Sequence, residues 1–235
     1  MQINGAHVLV TGANRGLGRQ FVLSLMERGA GKVYATARRP DLIDVPGAVP
    51  LRLDITDPAS VAAAVAAAPD AKIVINNAGI STGANLITAD LDTIRREMDT
   101  HFYGTLNVIR AFAPQLADGA IMNVLSAISW LATDGAGAYH AAKAAEWALT
   151  NSVRLELAHQ RTLVTGLHLG AADTDMMAWY DGHKGDPETI VAAALDGIEA
   201  HQPEVLADAW SRQVKAWLPE DPSVIYREAA AALTA

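Results

Sequence analysis

Residues 11–18 read Thr11-Gly12-Ala13-Asn14-Arg15-Gly16-Leu17-Gly18 and directly follow the apolar run Val8–Val10. From Leu17 onward, apolar residues recur at the three- and four-residue spacing of an amphipathic helix. Glycines at these positions allow a tight turn and let the bare backbone approach a diphosphate group. The N-terminus of the helix adds N–H donors and positive potential. The sequence therefore predicts a strand, a diphosphate-binding loop and a helix in direct succession.

The rest of the chain repeats this alternation of strand and helix. Short apolar, β-branched runs predict strands at Val8–Val10, Val33–Ala37, Leu51–Leu53, Ile73–Asn76, Ile121–Leu125, Val164–Leu169 and Val205–Ala207. Helical periodicity predicts helices at Leu17–Arg28, Ser60–Ala67, Asp92–Leu116, Tyr139–Gln160 and Pro187–Ala200. The alternation predicts an α/β fold: one doubly wound Rossmann domain over residues 1–235, with about seven mostly parallel strands and helices on both faces.

Composition excludes several classes of function. The 235 residues suit one large domain, and 51% hydrophobic residues can build its core. The net charge of −8 disfavours nucleic acid and anionic membranes as partners, because both require a positive surface. The sequence has no cysteine, no dense histidine cluster and no apolar run long enough to span a bilayer. We therefore expect a cytoplasmic protein with no metal, no nucleic acid partner and no membrane contact.

The residues after the second strand indicate which dinucleotide binds. An acidic residue there would hold the 2′-hydroxyl of the adenosine ribose, whereas a basic residue would hold a 2′-phosphate. The chain has Arg38 and Arg39 directly after Ala37, and Arg15 in the glycine loop could hold the same phosphate. We predict NADP(H) rather than NAD(H), with Arg38 as the main contact. The alternative is that the arginines are solvated surface residues, and Asp41 lies near enough to leave NAD(H) open.

Tyr139 and Lys143 are four residues apart in a helical stretch, so their side chains share one face. A phenol normally ionises near ~10 and is a poor acid or base at neutral pH, but a nearby ammonium group favours the phenolate. Ser126, at the end of the preceding strand, is placed to hydrogen-bond a substrate oxygen that gains negative charge. A tyrosine and a lysine at this spacing are commonplace in helices, and on the pair alone a purely structural role would be favoured over acid–base chemistry.

From about His7 to Met177 the chain resembles the short-chain dehydrogenase/reductase family, in particular its NADP(H)-preferring carbonyl reductases. Four motifs occur in the family's order: TGxxxGxG at residues 11–18, NNAG at residues 76–79, Ser126 thirteen positions before the tyrosine, and YxxxK at residues 139–143. The resemblance implies Tyr139 as general acid, Lys143 as ribose ligand and Ser126 as anchor of the substrate oxygen. The cofactor contacts that it implies, together with those predicted above, are Gly12, Asn14, Arg15, Gly16, Leu17, Gly18, Arg38, Asp54, Ile55, Asn77, Ala78, Gly79, Tyr139, Lys143 and Thr174.

The chain departs from the family pattern at two positions. His101 stands where the family usually has an asparagine that bends the helix and orders a proton-relay water, and Leu169 precedes Gly170 where proline is common. His101 either carries the relay itself, since imidazole can both donate and accept, or only fills space. We include His101 among the candidate catalytic residues.

The substrate pocket is expected beyond the carboxyl ends of the strands. Its predicted residues are Ile128, Trp130, Met176, Trp179 and Tyr180, which would form an apolar wall, and its main loop is about residues 170–187. The polar segment from Asp181 to Asp186 could act as a lid. The alternative for each tryptophan is packing at a subunit interface.

The sequence thus predicts an NADPH-dependent enzyme that reduces a hydrophobic ketone or aldehyde, reversibly, with Tyr139 as general acid. The alternative is an NADP(H)-binding sensor or scaffold protein without turnover. A homodimer or homotetramer is expected, because the helices predicted at Asp92–Leu116 and Tyr139–Gln160 resemble those of the family's four-helix interface.

Overall fold

Seven parallel strands form one sheet in the computed structural model, which describes residues 1–234. They are β1 (His7–Thr11), β2 (Lys32–Ala37), β3 (Val49–Arg52), β4 (Ile73–Asn76), β5 (Ala120–Val124), β6 (Leu163–His168) and β7 (Glu204–Leu206). Their order is β3-β2-β1-β4-β5-β6-β7, so the direction of winding reverses between β1 and β4. The predicted Rossmann fold is confirmed, and all strand pairs within the described residues are parallel. A crevice at the reversal is where such sheets bind ligands.

Helices cover both faces of the sheet. They are α1 (Gly16–Glu27), α2 (Pro58–Ala67), α3 (Leu91–Met98), α4 (Thr105–Phe112), α5 (Gly137–Glu156), α6 (Pro187–Glu199), α7 (Ala209–Trp217) and α8 (Pro222–Thr234). One hydrophobic cluster joins the sheet to α1 and α6, and another joins it to α2, α4 and α5. Within residues 1–234, no helix combines the length and the apolar character needed to cross a bilayer.

The five central strands are buried on both faces, which explains their continuous apolar runs, whereas the edge strand β3 has exposed residues at Pro50 and Arg52. In β1, Val8 and Val10 pack into the α1 and α6 cluster, whereas Leu9 packs into the cluster on the other face. In β4, Ile73 and Ile75 alternate with Val74 in the same way. Side chains of a strand alternate between faces, so an apolar residue is needed at every position.

The prediction of one continuous helix at Asp92–Leu116 is wrong for the middle of that range. A π-helical segment, Asp99–Gly104, separates α3 from α4. Within it, His101 and Gly104 are buried, and a Cβ on Gly104 would lie 2.8 Å from Ile55 Cδ1. The wider turn therefore places a histidine in the interior and brings the backbone close to Ile55, which sequence periodicity does not reveal.

Candidate active site

A cavity of about 2250 Å³ lies along the carboxyl ends of the strands. It brings together all the predicted site residues except Trp130. Those that line it are Gly12, Asn14, Arg15, Gly16, Leu17, Gly18, Arg38, Asp54, Ile55, Asn77, Ala78, Gly79, His101, Ser126, Ile128, Tyr139, Lys143, Thr174, Met176, Trp179 and Tyr180. The cavity extends from the glycine loop at one end to α7 at the other.

The glycine loop leaves room for a ligand against the backbone. Gly12 has a φ of +65°, and a Cβ there would lie 2.8 Å from the Cα of Ala78. Among the described residues, no side chain caps the first turn of α1, which begins at Gly16. The first amides of a helix have no partner within the helix, so these remain available to an anion. Loop and helix together fit the diphosphate of a dinucleotide.

The segment after β4 holds the glycine loop in place. The Asn77 amide donates to the carbonyl oxygens of Thr11 and Gly12, at 2.9 and 3.2 Å. The hydroxyl of Thr11 accepts from the backbone N–H groups of Asn77 and Ala78, both at 2.9 Å. These bonds join the ends of two neighbouring strands, so the loop geometry is set before any ligand arrives.

The arginines at the second strand differ in their availability. Arg39 is bound to Asp41 at 3.2 Å. Arg38 is exposed, lines the cavity and has no acidic partner within residues 1–234. Arg15 lies 3.7 Å from Asp175, a loose pair between two exposed side chains. Arg38 is therefore available to bind a phosphate group, and Arg15 would have to give up only its loose pair with Asp175.

The adenine end of the predicted site is formed by the segment after β3. Asp54 Oδ1 accepts from both the backbone N–H and the hydroxyl of Thr56, at 3.0 and 2.7 Å, which leaves Oδ2 free. The amide of Asn107 donates to the carbonyl oxygen of Ile55 at 3.2 Å. Asn107 thus has a role that the sequence did not reveal, since it fixes the backbone beside Asp54.

The loop after β6 is fixed at its base. Backbone bonds join Gly185 to Ala171 at 2.7 Å and Asp173 to Gly185 at 2.9 Å, and Lys184 pairs with Asp173 at 3.4 Å. Thr174 rests against the glycine loop, where a Cβ on Gly16 would lie 3.3 Å from Thr174 Cγ2. The base of the loop is thus tied to itself and to the glycine loop, and a lid function of residues 181–186 stays a prediction.

Tyr139 and Lys143 lie one turn apart on α5, as predicted. The Lys143 ammonium lies 5.8 Å from the centre of the Tyr139 ring. It donates to the carbonyl oxygen of Val124 at 2.8 Å and to Glu146 Oε2 at 2.7 Å. Lys143 is therefore already paired with a carboxylate, which the sequence prediction did not include.

Lys143 does act on Tyr139 in the expected direction, but other causes outweigh it. Burial raises the pKa of Tyr139; the positive charge of Lys143 lowers it, but the negative charges of Glu146 and Glu97 raise it further. The net direction is upward from the ordinary value, so Tyr139 holds its proton more firmly than a free phenol. Burial alone would lower the pKa of Lys143, but the neighbouring Glu146 and Tyr139 raise it.

Ser126 ends the segment after β5 and is buried. Its hydroxyl donates to the carbonyl oxygen of Leu169 at 3.3 Å and accepts from the Ile128 N–H at 3.4 Å. Both bonds are long, so the hydroxyl can turn to a stronger partner. His168 lies 3.0 Å from the carbonyl oxygen of Ser126, and burial lowers the pKa of His168 to about 4. The neutral imidazole donates this bond and fixes the backbone of the serine.

His101 lies behind Tyr139, with 1% of its surface exposed. Its Nε2 is 2.8 Å from the carbonyl oxygen of Ile80, so this nitrogen carries a proton. The ring meets Tyr139 edge to face at 5.1 Å between centres. A Cβ on Gly79 would lie 2.7 Å from His101 Cε1, so only glycine leaves space for the imidazole. His101 is therefore a neighbour of the candidate acid, and a relay role stays a prediction.

Trp130 lies outside the cavity, contrary to the sequence-based expectation. The short 3₁₀ turn Ala127–Ser129 directs it away, and its ring stacks on His168 at 3.7 Å between centres. Lys215 lies 4.6 Å above the same ring, and Trp147 meets it edge to face. Trp130 therefore packs behind the serine segment, through His168, and does not line the cavity.

Besides Asn107, the sequence prediction did not include four residues in or beside the site. Trp210 and Trp217 line the far end of the cavity and meet edge to face at 5.7 Å. Their spacing of seven residues predicts a packed helix face, but not which cavity that face borders. Glu97 and Glu146 are buried beside His101 and Lys143. Their spacings, four residues before His101 and three after Lys143, were the signal available.

Comparison with known proteins identifies the family. The family model described as short chain dehydrogenase matches residues 6–184. The chain belongs to the short-chain dehydrogenase/reductase family. As a member, it is an oxidoreductase with a nicotinamide cofactor, and the resemblance found in the sequence motifs is confirmed.

Individual relatives of this short-chain dehydrogenase agree with that assignment. A crystal structure of a short chain dehydrogenase from Burkholderia cenocepacia in complex with NADP is 36% identical, with a TM-score of 0.93 over 97% of this chain and 98% of the other. NADPH-dependent 1-acyldihydroxyacetone phosphate reductase from Schizosaccharomyces pombe is 35% identical over 73% of this chain, which spans 61% of that relative. D-erythrulose reductase from Gallus gallus is 29% identical over 78% of this chain and 79% of the relative.

Proposed function

We propose that this protein uses NADPH to reduce a hydrophobic ketone or aldehyde to an alcohol, in a reaction that is reversible in principle. The observation that carries the proposal is that Ser126, Tyr139 and Lys143 line one cavity with an uncapped glycine loop. The loop suits a dinucleotide diphosphate, and the three side chains suit proton transfer to a carbonyl oxygen beside it.

The preference for NADPH rests on the charges at the adenosine end. Arg38 is exposed at the cavity wall, and Arg15 needs to leave only a loose pair with Asp175. A guanidinium matches a phosphate with two parallel hydrogen bonds. The similar Burkholderia protein binds NADP, which supports the same choice here.

Each side chain has a defined task in the reduction. The cofactor supplies a hydride to the carbonyl carbon when it is bound. Ser126 turns its hydroxyl to the carbonyl oxygen, which gains negative charge, and Tyr139 donates its phenolic proton to that oxygen. The alcohol then leaves, and the Tyr139 phenolate regains a proton on the side of Lys143 and His101. The reverse reaction begins from the phenolate.

The far half of the cavity supports an apolar substrate. Its wall includes Met176, Trp179, Tyr180, Trp210 and Trp217, and Trp179 is 72% exposed into the open site. No lysine or arginine occurs from Gly170 to Gly182, so a carboxylate or phosphate group of a substrate has no counter-ion in that segment. Aromatic walls of this kind favour an aromatic or branched carbonyl compound.

We also propose a homodimer or homotetramer. Leu91 on α3 and Leu155 on α5 are exposed large apolar side chains, as is Tyr103 in the π segment between α3 and α4. A contact between copies would cover them. A cytoplasmic location stays a prediction.

The test is a screen for NADPH consumption with aromatic and aliphatic ketones and aldehydes. Tyr139→Phe should abolish turnover while NADPH still binds, and Tyr226→Phe, which alters an exposed tyrosine on α8, should change neither. Full turnover by Tyr139→Phe would refute the mechanism. Binding of NADPH without turnover across the whole panel would favour the sensor or scaffold function.

A further inference from the structure

Two glutamates are buried behind the catalytic tyrosine. Glu97 is 0% exposed and Glu146 is 2% exposed. Burial of a carboxylate is costly unless it is paired and hydrogen-bonded. Neither residue has a part in the reaction described above, so their presence at this depth requires a reason.

Glu146 is paired with the lysine of the site. Its Oε2 accepts from Lys143 at 2.7 Å, and its Oε1 accepts from the hydroxyl of Thr105 at 3.0 Å. Oε2 also lies 3.8 Å from Nδ1 of His101. The negative charge of Glu146 thus opposes the effect of the Lys143 ammonium on the phenol of Tyr139.

Glu97 adds a second negative charge from α3. Its Oε1 accepts from the backbone N–H of Thr82 at 2.6 Å, and its Oε2 lies 3.3 Å from Nε2 of His101. Burial opposes ionisation, but the contacts with His101 and Thr82 outweigh it and hold the pKa of Glu97 below its ordinary value. Glu97 is therefore a carboxylate at neutral pH.

The titratable groups around Tyr139 come from three elements. α5 contributes Lys143 and Glu146, the π segment contributes His101, and α3 contributes Glu97. The cluster thus contains one ammonium group, on Lys143, and two carboxylates, on Glu97 and Glu146. A phenolate at Tyr139 would be a third negative charge in the same buried cluster, and like charges at short range disfavour one another.

We propose that Glu97 and Glu146 are positioning residues that keep the proton on Tyr139, so that the site is set for reduction at neutral pH and needs alkaline conditions for oxidation. The inference rests on the proposed reductase function. Reduction starts with a protonated phenol and oxidation starts with a phenolate, so negative charge behind the ring favours the first starting state. Proton transfer in reduction remains favourable, because an alkoxide is a much stronger base than a phenolate.

The proposal is tested by titrating the tyrosine directly in the full-length protein. ¹³Cζ-labelled tyrosine reports ionisation by NMR, and the signal of Tyr139 is the one that Tyr139→Phe removes. Glu97→Gln and Glu146→Gln should each move its midpoint to lower pH by about one unit or more. Glu97→Gln leaves the Lys143–Glu146 pair intact, so its shift cannot arise from an unpaired lysine.

The matched control is Glu156→Gln, which removes an exposed glutamate from the same helix and should leave the midpoint unchanged. Glu146→Asp keeps the charge, so its midpoint should stay near that of the unaltered protein; a midpoint as low as that of Glu146→Gln would show that packing, not charge, is responsible. An unmoved or raised midpoint in Glu97→Gln and Glu146→Gln overturns the proposal.

A kinetic measurement gives a second readout. In both glutamine variants, the rise of alcohol oxidation with pH should move to lower pH, in parallel with the tyrosine titration. The two conclusions remain separable: absence of turnover in the unaltered protein would refute the reductase function, whereas the NMR midpoints decide the role of the glutamates without any reaction.

Discussion

Removal of Arg38 should weaken binding of NADPH and leave binding of NADH unchanged. Arg38 is exposed at the cavity wall, whereas the neighbouring Arg39 is already held by Asp41 at 3.2 Å. A hydrogen bond to a charged group contributes about 1.5–3 kcal/mol. Because Arg38 is solvated before binding, the lower end applies, and Arg38→Ala should weaken NADPH binding about tenfold.

Fluorescence titration with NADPH and with NADH measures both affinities on the same samples. Arg39→Ala is the matched control, because it removes the same charge one residue away and should change NADPH binding by less than about twofold. Salt should reduce the effect of Arg38→Ala, since the contact is exposed. Equal losses for NADPH and NADH, or an equal effect of Arg39→Ala, would show that Arg38 does not read the 2′-phosphate.

Three further outcomes are expected. Gly12→Ala should destabilise the fold by about 2 kcal/mol or more in urea unfolding, because Gly12 has a φ of +65° and a Cβ there would lie 2.8 Å from Ala78 Cα; an unchanged midpoint contradicts this. The pKa of His168 is about 4 in the folded protein, below its ordinary value of 6.5. The unfolded chain therefore takes up a proton at higher pH than the folded protein, and the free energy of unfolding falls by up to about 3 kcal/mol as the pH drops from 6.5 to about 4. His168→Gln should flatten this dependence in urea unfolding at successive pH values, and an identical slope would refute it. Trp210→Ala should raise the KM for an aromatic ketone about tenfold while NADPH affinity is retained, because Trp210 lines the far end of the cavity; a loss of NADPH affinity instead would place the residue at the cofactor.

The central strands were predictable because they are buried on both faces. Such strands require continuous apolar runs, as in β4 at Ile73–Asn76, where prediction and structure coincide. The helices α1, α2, α5 and α6 followed from periodicity, with ends that differ by a few residues, whereas α7 and α8 were not predicted. The interruption at Asp99–Gly104 was not predictable, because it depends on contacts of His101 and Gly104 with distant parts of the chain.

The parts of the site that are formed by one short stretch of sequence were predictable. The glycine loop and the pair Tyr139 and Lys143 are of this kind. The direction of the Tyr139 pKa was not predictable from that pair, because it depends first on the burial of the ring, and then on Glu146 and on Glu97, which reaches the cluster from another helix. Trp130 shows the converse, since its nearness to Ser126 in sequence does not place it in the same cavity.

The π-helical turn and the buried position of Glu97 depend on each other. A π turn contains one residue more than an α turn. Successive residues of a helix are about 100° apart around its axis, so one extra residue rotates the side chains before it by that angle relative to those after it. Deletion of one residue after His101 and before Gly104 would leave α4 on the sheet and rotate Glu97 and His101 together away from Glu146 and Lys143 on α5. The extra residue of the π turn is therefore what allows α4 to cover the sheet while the carboxylate of Glu97 faces the interior.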